Sequence, residues 1–145
     1  MRNRSVRTTE SVTGIFSHTV GAMIIERKAG KHSIILKAVT IGRDLLVTIY
    51  GGDEHHIGGV AVAHSAKSHY RDATTVSVNT FTFPGHKDYV VANSAAEKIC
   101  NSMGVPVVVT VGIHIDRATR EEIDEVVRTV DAMVEDLIAQ YQKAE

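Results

Sequence analysis

A strand-like pattern and a helical pattern meet at Phe81-Thr82-Phe83-Pro84-Gly85-His86-Lys87-Asp88. Apolar and polar residues alternate from Thr75 up to this stretch, and a helical pattern follows it to about Met103. The first N–H groups of a helix have no partner inside the helix, and the helix dipole adds partial positive charge there. His86 and Lys87 would add donors beside those groups. The stretch could therefore hold an anion, but Pro-Gly turns before helices are common, so on its own it favours an ordinary helix entry with a solvated lysine and a capping histidine.

The composition of the chain is that of an ordinary globular protein. Of its 145 residues, 43% are hydrophobic and 23% are charged, which argues against disorder. The formal net charge of -1 provides no basic surface for nucleic acid or an anionic membrane. The chain contains neither an apolar run of membrane-spanning length nor a signal-peptide pattern at its start. Cys100 is the only cysteine, so it cannot form an internal disulfide, and its place in the helical pattern indicates a buried packing residue. We expect a cytoplasmic protein with no nucleic-acid partner and no membrane.

The first half of the chain consists mainly of strand patterns. Residues 1–10 carry three arginines and no apolar period, so we predict a flexible N-terminal arm or an added strand, followed by a single domain at residues 11–145. Short turns separate the later apolar runs and indicate antiparallel neighbours. Five strands are predicted, at residues 12–26, 33–41, 45–50, 60–63 and 74–81.

The second half of the chain predicts a helix, a strand and a second helix. Gly104 would close the helix that begins at Asp88. The β-branched run at residues 105–113 predicts a strand covered on both faces, of the kind often paired in parallel. Thr119 and Glu122 form a capping-box pattern that opens the last helix. The predicted fold is α+β (α/β), a single mixed, mostly antiparallel sheet with two helices packed on it, in the order βββββαβα.

This topology predicts that three segments meet at one edge of the sheet. If strands three to five alternate in direction and the crossover through the helix is right-handed, strands three, five and six are parallel. Open sheets bind ligands beyond the carboxyl ends of such strands. The segments that follow these three strands are residues 51–59, 82–88 and 112–116, and they carry His, Asp, Glu and Lys side chains among glycines. We therefore predict a ligand or partner site at this edge.

The residue types at this edge favour an anionic ligand over a metal ion. His and Asp are good ligands for zinc or iron, but the chain has no HxxxH, HxH or CxxC spacing, and His55 and His56 would point to opposite faces of an extended segment. A phosphate-bearing ligand suits the glycines, the helix start and Lys87. GxGxxG and GxxxxGK[ST] are both absent, which disfavours the common nucleotide-binding folds. No serine or cysteine nucleophile lies in these segments, so no catalytic residue is predicted.

Three motifs across residues 12–140 resemble the prenylated flavin chaperone-like family. This family comprises the small D subunits of bacterial gallate-type, UbiD-like aromatic acid decarboxylases, and its fold is related to that of proteasome assembly chaperones. The motifs are Gly51-Gly52-Asp53-Glu54-His55-His56-Ile57-Gly58-Gly59-Val60-Ala61-Val62-Ala63, Pro84-Gly85-His86-Lys87-Asp88, and Gly112-Ile113-His114-Ile115-Asp116-x-Ala118-Thr119-x-x-Glu122.

The resemblance implies a non-catalytic accessory protein. Such a protein binds prenylated FMN (or FMN), docks on the large subunit of a UbiD-like decarboxylase, or does both, and so supports cofactor delivery and maturation of the holoenzyme. A flavin prenyltransferase is a second implied partner. His55 occupies a position that varies in the family, so His56 is given more weight. The expected cofactor-binding residues are Gly51, Gly52, Asp53, His56, Gly58, Gly59, Pro84, Gly85, His86, Lys87, His114 and Asp116.

Two other functions remain as alternatives at this point. The chain would be an assembly subunit of the decarboxylase without a ligand of its own, or a His/Asp metal-dependent enzyme. Phe83 or Tyr89 would stack on a bound ring system, unless the apolar wall of the site is mainly aliphatic. We also expect a homo-oligomer, a dimer, because apolar helices and unpaired edge strands tend to be covered.

Overall fold

A computed structural model of the protein describes residues 4–7, 13–17, 22–67, 73–85 and 87–144. These residues form a sheet and two helices. The strands are β1 (Arg4–Arg7), β2 (Thr13–Ser17), β3 (Ala22–Ala29), β4 (His32–Ile41), β5 (Asp44–Gly52), β6 (Glu54–Lys67), β7 (Thr74–Thr82) and β8 (Val107–His114), and the helices are α1 (Asp88–Met103), between β7 and β8, and α2 (Arg120–Ala144), after β8.

The strands form a single mixed sheet in the order β1-β2-β3-β4-β5-β8-β6-β7. β5 and β8 pair in parallel, and all other neighbours pair antiparallel. The predicted α+β class, with a mostly antiparallel sheet and two helices, is confirmed. From β3 onward the elements follow the predicted order βββββαβα, and β1 and β2 are two further strands before them.

The beginning of the sheet differs from the predicted pattern. Residues 12–26 were expected to form one strand, but β2 and β3 are two antiparallel strands in which Ser17 lies opposite Ala22. The apolar pattern runs across this reversal, so it does not reveal that the strand turns back and pairs with itself. β1 lies within the predicted arm at residues 1–10 and pairs with β2 as an added strand.

β6 is much longer than its predicted four-residue core. The glycine-rich segment 51–59 was expected to be a loop, but β6 begins at Glu54, directly after Asp53, and continues to Lys67. Pairing with β7 and β8 supplies backbone hydrogen bonds that compensate for the low strand propensity of glycine. Between His55 and Gly59 the register with β8 is shifted, so this part of β6 contains a bulge or a similar irregularity.

Both helices lie on the same face of the sheet and bury one core. Alternate strand residues point into this core, as Leu36 does on β4 and Val47 on β5, and both are 0% exposed. Met133 and Leu137 of α2 are buried in the same cluster. Cys100 of α1 belongs to it too, which confirms the predicted packing role, and burial raises the pKa of its thiol.

The two helix boundaries with the clearest signals agree with the structure. α1 ends at Gly104, whose left-handed conformation (φ 68°) lets its N–H donate to the Cys100 carbonyl oxygen at 2.8 Å. At the start of α2, the Thr119 N–H donates to Glu122 and the Glu122 N–H donates to the Thr119 hydroxyl oxygen, both at 3.1 Å. This is the predicted capping box. In the described part of the chain, neither helix is apolar enough over its length to cross a membrane.

The face of the sheet opposite the helices is covered by none of the described elements. In β8, Val107, Val109 and Val111 are buried under the helices, whereas Val108 and Thr110 on the opposite face are only half-buried. The prediction that β8 is covered on both faces is therefore wrong for the single chain. Its parallel pairing, with β5, is confirmed.

Candidate functional site

The carboxyl ends of β5, β7 and β8 lie at the same edge of the sheet. β6 is antiparallel to both β7 and β8, so β7 runs in the same direction as β8 and β5. Backbone hydrogen bonds join the segments that follow these strands. The Phe83 N–H donates to the Gly58 carbonyl oxygen at 3.2 Å, and the Asp53 N–H donates to the His114 carbonyl oxygen at 2.6 Å. The three segments that the topology was expected to gather are therefore in contact.

Asp88, the first residue of α1, connects two of the neighbouring strands to the helix. One carboxylate oxygen lies 3.2 Å from His56 Nε2, and the other accepts a hydrogen bond from the Ile113 N–H at 3.2 Å. The side chain is only 12% exposed, so these contacts satisfy a carboxylate that is nearly buried. Asp88 was not among the expected site residues. The sequence does contain a relevant signal at this position, because Asp88 is an acidic residue in the first turn of a helix, where the helix dipole favours negative charge.

A second polar group lies next to the first and contains Asp53, His114 and Asp116. The carboxylate of Asp53 accepts a hydrogen bond from the Asp116 N–H at 2.8 Å, and this bond, with help from nearby His32, holds the pKa of Asp53 below its usual value. The His32 ring, buried at the start of β4, approaches the other Asp53 oxygen at 3.4 Å. His114 Nε2 lies 2.9 Å from the Asp116 carboxylate. The His56 and His114 ring centroids are 6.4 Å apart, so the two polar groups are neighbours.

His32 is a member of this group that the sequence did not suggest. Among the residues that the structure describes, His32 is the only polar or charged one whose side chain is buried. It lies next to the two-residue turn between β3 and β4, far from residues 51–59 in sequence but adjacent to them through the pairing of β4 with β5. No local pattern marks such a residue, because its position depends on strand pairing.

Contacts within the chain account for the glycines of β5 and β6. A Cβ atom at Gly59 would lie 2.5 Å from the Tyr89 nitrogen, and one at Gly58 would meet the Asp88 carboxylate. These two glycines let the start of α1 approach the β6 backbone. Gly51 leaves no room for a Cβ against the backbone of β4, and Gly52 (φ 80°) lies against the His114 carbonyl group. Their roles in cofactor binding remain predictions.

A cavity of about 270 Å³ lies at this edge, between α1, α2 and the segment after β8. Its walls are mainly aliphatic, and the polar side chains among its described lining residues are Lys87, Asp88 and His114. The expected aliphatic wall is therefore present, and neither Phe83 nor Tyr89 is among the residues that line it. The described residues that line the cavity are Gly85, Lys87, Asp88, Val91, Ile113, His114, Ile115, Ala118, Ile123, Val126 and Val127.

The expected site residues occupy three kinds of position around this cavity. Gly85, Lys87 and His114 line it. Asp53, His56 and Asp116 belong to the adjoining polar groups. Pro84 is exposed in the turn before α1, and the four glycines of β5 and β6 contact the chain's own atoms. His86 lies outside the described residues.

Most of the apolar side of the cavity was not predicted from the sequence. Val126 and Val127 come from α2 and were not among the expected site residues. Val127 and Ile123 are 43% and 49% exposed, so they form an open rim where the cavity meets solvent. Within the described ranges, no group of three or more His, Cys, Asp or Glu side chains is arranged to hold a metal ion.

Comparison with known proteins relates this chain to flavin chaperones. The prenylated flavin chaperone LpdD-like domain matches residues 28–142. Protein LpdD of Lactiplantibacillus plantarum is 29% identical over 107 residues, which cover 70% of this chain and 72% of that protein. A crystal structure of a chaperone complex for yeast 20S proteasome assembly is 12% identical to this chain, with a TM-score of 0.47 and coverage of 85% of this chain and 97% of that one. Because the family match extends over most of the sequence, the chain belongs to the prenylated flavin chaperone LpdD-like family.

Proposed function

We propose that this protein binds prenylated FMN without acting on it and delivers it to the large subunit of a UbiD-like aromatic acid decarboxylase. The observation that carries the proposal is the aliphatic cavity at the start of α1, beside Lys87, in a member of a prenylated flavin chaperone family. The cavity offers apolar contact and a cation within one small region. These are the two properties that a modified flavin carrying a phosphate requires of its carrier.

The size of the cavity suits part of such a ligand. Pockets for whole drug-sized molecules are usually about 300 to 1,000 Å³, so a volume of about 270 Å³ accommodates a portion of a flavin nucleotide. The aliphatic side chains of α2, β8 and α1 would contact the prenyl-modified ring system. The rest of the ligand would remain accessible, which is appropriate for a protein that must release its cargo to an enzyme.

The charge arrangement supports phosphate binding at Lys87 rather than at Asp88. Lys87 is exposed, precedes the first turn of α1 and makes no side-chain cap hydrogen bond. Asp88 would repel a phosphate, but its carboxylate is directed to His56 and the Ile113 N–H, and these contacts offset its charge. The positive end of the helix dipole adds to the field at Lys87.

The proposal is tested by flavin titration of a Lys87→Ala variant, following the quenching of flavin fluorescence. We expect the Kd for prenylated FMN to rise about 3- to 10-fold, because one exposed charge-assisted hydrogen bond is lost. Lys143→Ala is the matched control, since Lys143 is also exposed and lies about 24 Å from Val127 along α2. An unchanged Kd in Lys87→Ala would remove the phosphate assignment, and absence of binding by the unmodified protein would remove the flavin-binding function.

A second function is favoured by the exposed rim of the cavity. Ile123 and Val127 are partly open to solvent and suit contact with another protein as well as with a ligand. In this alternative, the chain is an assembly subunit that docks on the decarboxylase and has no ligand of its own. A complex with the large subunit that forms equally well with and without flavin, combined with no measurable flavin binding, would favour it. A complex that requires flavin would favour delivery.

A further inference from the structure

The sheet has a large apolar face that no described element covers. α1 and α2 share one core on the other face, and alternate residues of each strand point away from them. The strand register places Val39 opposite Leu46 and Val60 opposite Phe81 on this open face. Val39, Leu46 and Phe81 are 40%, 39% and 62% exposed. Exposed apolar residues in neighbouring strands mark a surface for association rather than isolated surface positions.

The sequence of β8 also indicates that this face is covered in the assembled protein. β8 lies in the middle of the sheet, between β5 and β6, and is apolar or β-branched on both faces. Runs of this kind are typical of strands buried on both sides. In the single chain, Val108 remains only half-buried on the open face. A second layer on this face would bury it.

We propose that this second layer is the same face of a second copy of the chain. The two sheets would stack as a β-sandwich, with the helices of each copy on the outside. The six strands from β3 to β7, including β8, span about 24 Å across and about 26 Å along their length. Each copy would bury roughly 600 Å², and about 1,200 Å² in total is the lower limit for a specific stable interface.

The charges on this face favour a second copy over a charged partner. Among the described residues, the strand register places three acidic residues on this face, Glu26, Asp44 and Glu54, and two lysines, Lys28 and Lys37. Two identical faces of nearly balanced charge repel each other only weakly, and a two-fold arrangement lets acidic residues of one copy approach lysines of the other. A nucleic acid or an anionic membrane would require a clear excess of lysine and arginine. This inference is independent of flavin binding.

Light scattering after gel filtration tests the proposal, with the unmodified protein compared with Leu46→Glu. We expect the unmodified protein to elute at about twice the chain mass of 15.8 kDa and the variant at the mass of one chain. Two unpaired glutamates buried in a symmetric interface would weaken the dimer about 100-fold or more. Val127→Glu is the matched control, because Val127 is similarly exposed but lies on α2. It should remain a dimer.

A second variant covers the case in which Leu46→Glu does not fold. Lys37 is exposed, so Lys37→Glu should fold, and it changes the nearly balanced face into a strongly acidic one that repels its copy. We expect its dimer to dissociate at low salt and to recover in part at high salt. A monomeric unmodified protein, or dimers of unchanged stability in the folded variants, would overturn the proposal. A face that binds only the decarboxylase large subunit would overturn it too.

Discussion

At the scale of single residues, Asp88 shows how one side chain holds the edge of the sheet together. Its two carboxylate oxygens contact residues of β6 and β8, and its own backbone begins α1. Replacement by alanine would leave the Ile113 N–H without this acceptor in a partly buried place. The residue therefore has a structural role at the cavity, whereas Lys87 beside it is exposed and available to a ligand.

Asp53 provides a pH-dependent prediction at the same scale. The Asp116 N–H, with a smaller contribution from His32, lowers the pKa of Asp53 in the folded chain. The stabilisation is therefore present above the usual aspartate pKa of about 3.9 and is lost as the pH falls through the lower folded value. Near neutral pH we expect Asp53→Asn to unfold at a lower temperature than the unmodified protein. This difference should shrink in strongly acidic buffer.

Thermal unfolding of both proteins, recorded by circular dichroism from pH 7 down to strongly acidic pH, measures this difference. Two curves separated by the same interval at every pH would contradict the assigned role of the Asp53 carboxylate. The difference in unfolding temperature between the two proteins isolates the effect of Asp53, because the other carboxyl groups contribute equally to both curves.

At the scale of elements, the contact between α1 and β6 depends on two glycines. A Cβ at Gly59 would lie 2.5 and 2.7 Å from the nitrogen and Cα of Tyr89, and these backbone atoms cannot yield unless the helix moves. We expect Gly59→Ala to reduce the free energy of unfolding by roughly 1–3 kcal/mol, as overpacking usually does. It should also weaken flavin binding, because α1 carries Lys87 and Val91 at the cavity.

Gly42→Ala is the control for Gly59→Ala, because it should lower stability through the backbone conformation alone and leave α1 in place. Gly42 lies in the turn between β4 and β5 with φ 60°, and a Cβ there would meet no atom within 4 Å. Its replacement should cost about 1 kcal/mol through the left-handed conformation alone, with flavin affinity unchanged. Urea unfolding and flavin titration of both variants measure the two effects. Normal flavin affinity in Gly59→Ala would show that the position of α1 does not determine binding.

At the scale of the whole molecule, a ligand that binds only the folded chain should raise its stability. At a free concentration of 100 times Kd, prenylated FMN would add about 2.7 kcal/mol to the free energy of unfolding. For a domain of this size, we expect the unfolding temperature to rise by roughly 5–10 °C. Riboflavin, which lacks the phosphate, is the control and should give a smaller shift. Equal shifts with both compounds would argue against a phosphate contact.

Part of this architecture could be predicted from local signals. The Pro-Gly turn, the helical spacing and Gly104 indicated α1 at the observed position, and Thr119 with Glu122 indicated the start of α2. Alternating strands and one crossover were sufficient to predict that three segments meet at one edge. Such signals are reliable because capping, periodicity and turn chemistry act over a few residues along the chain.

These local signals could not predict the length of β6 or explain why it contains glycines. A glycine-rich segment without periodicity favours a loop, and only its pairing with β7 and β8 makes it a strand. The glycines then fit the approach of α1, a contact between residues about 30 positions apart in sequence. His32 and the apolar wall on α2 reach the site in the same way, through neighbours that are distant along the chain.

Local periodicity and short motifs along the chain were enough to predict the family, both helices and the order of elements from β3 onward, although not every strand boundary. Three features appear only in the folded chain: β8 lies between β5 and β6, Asp88 joins α1 to β6 and β8, and one face of the sheet is left open by the described elements. The physical reason is that strand pairing and burial are properties of surfaces assembled from distant segments. The free energy of those contacts exists only once the chain has folded.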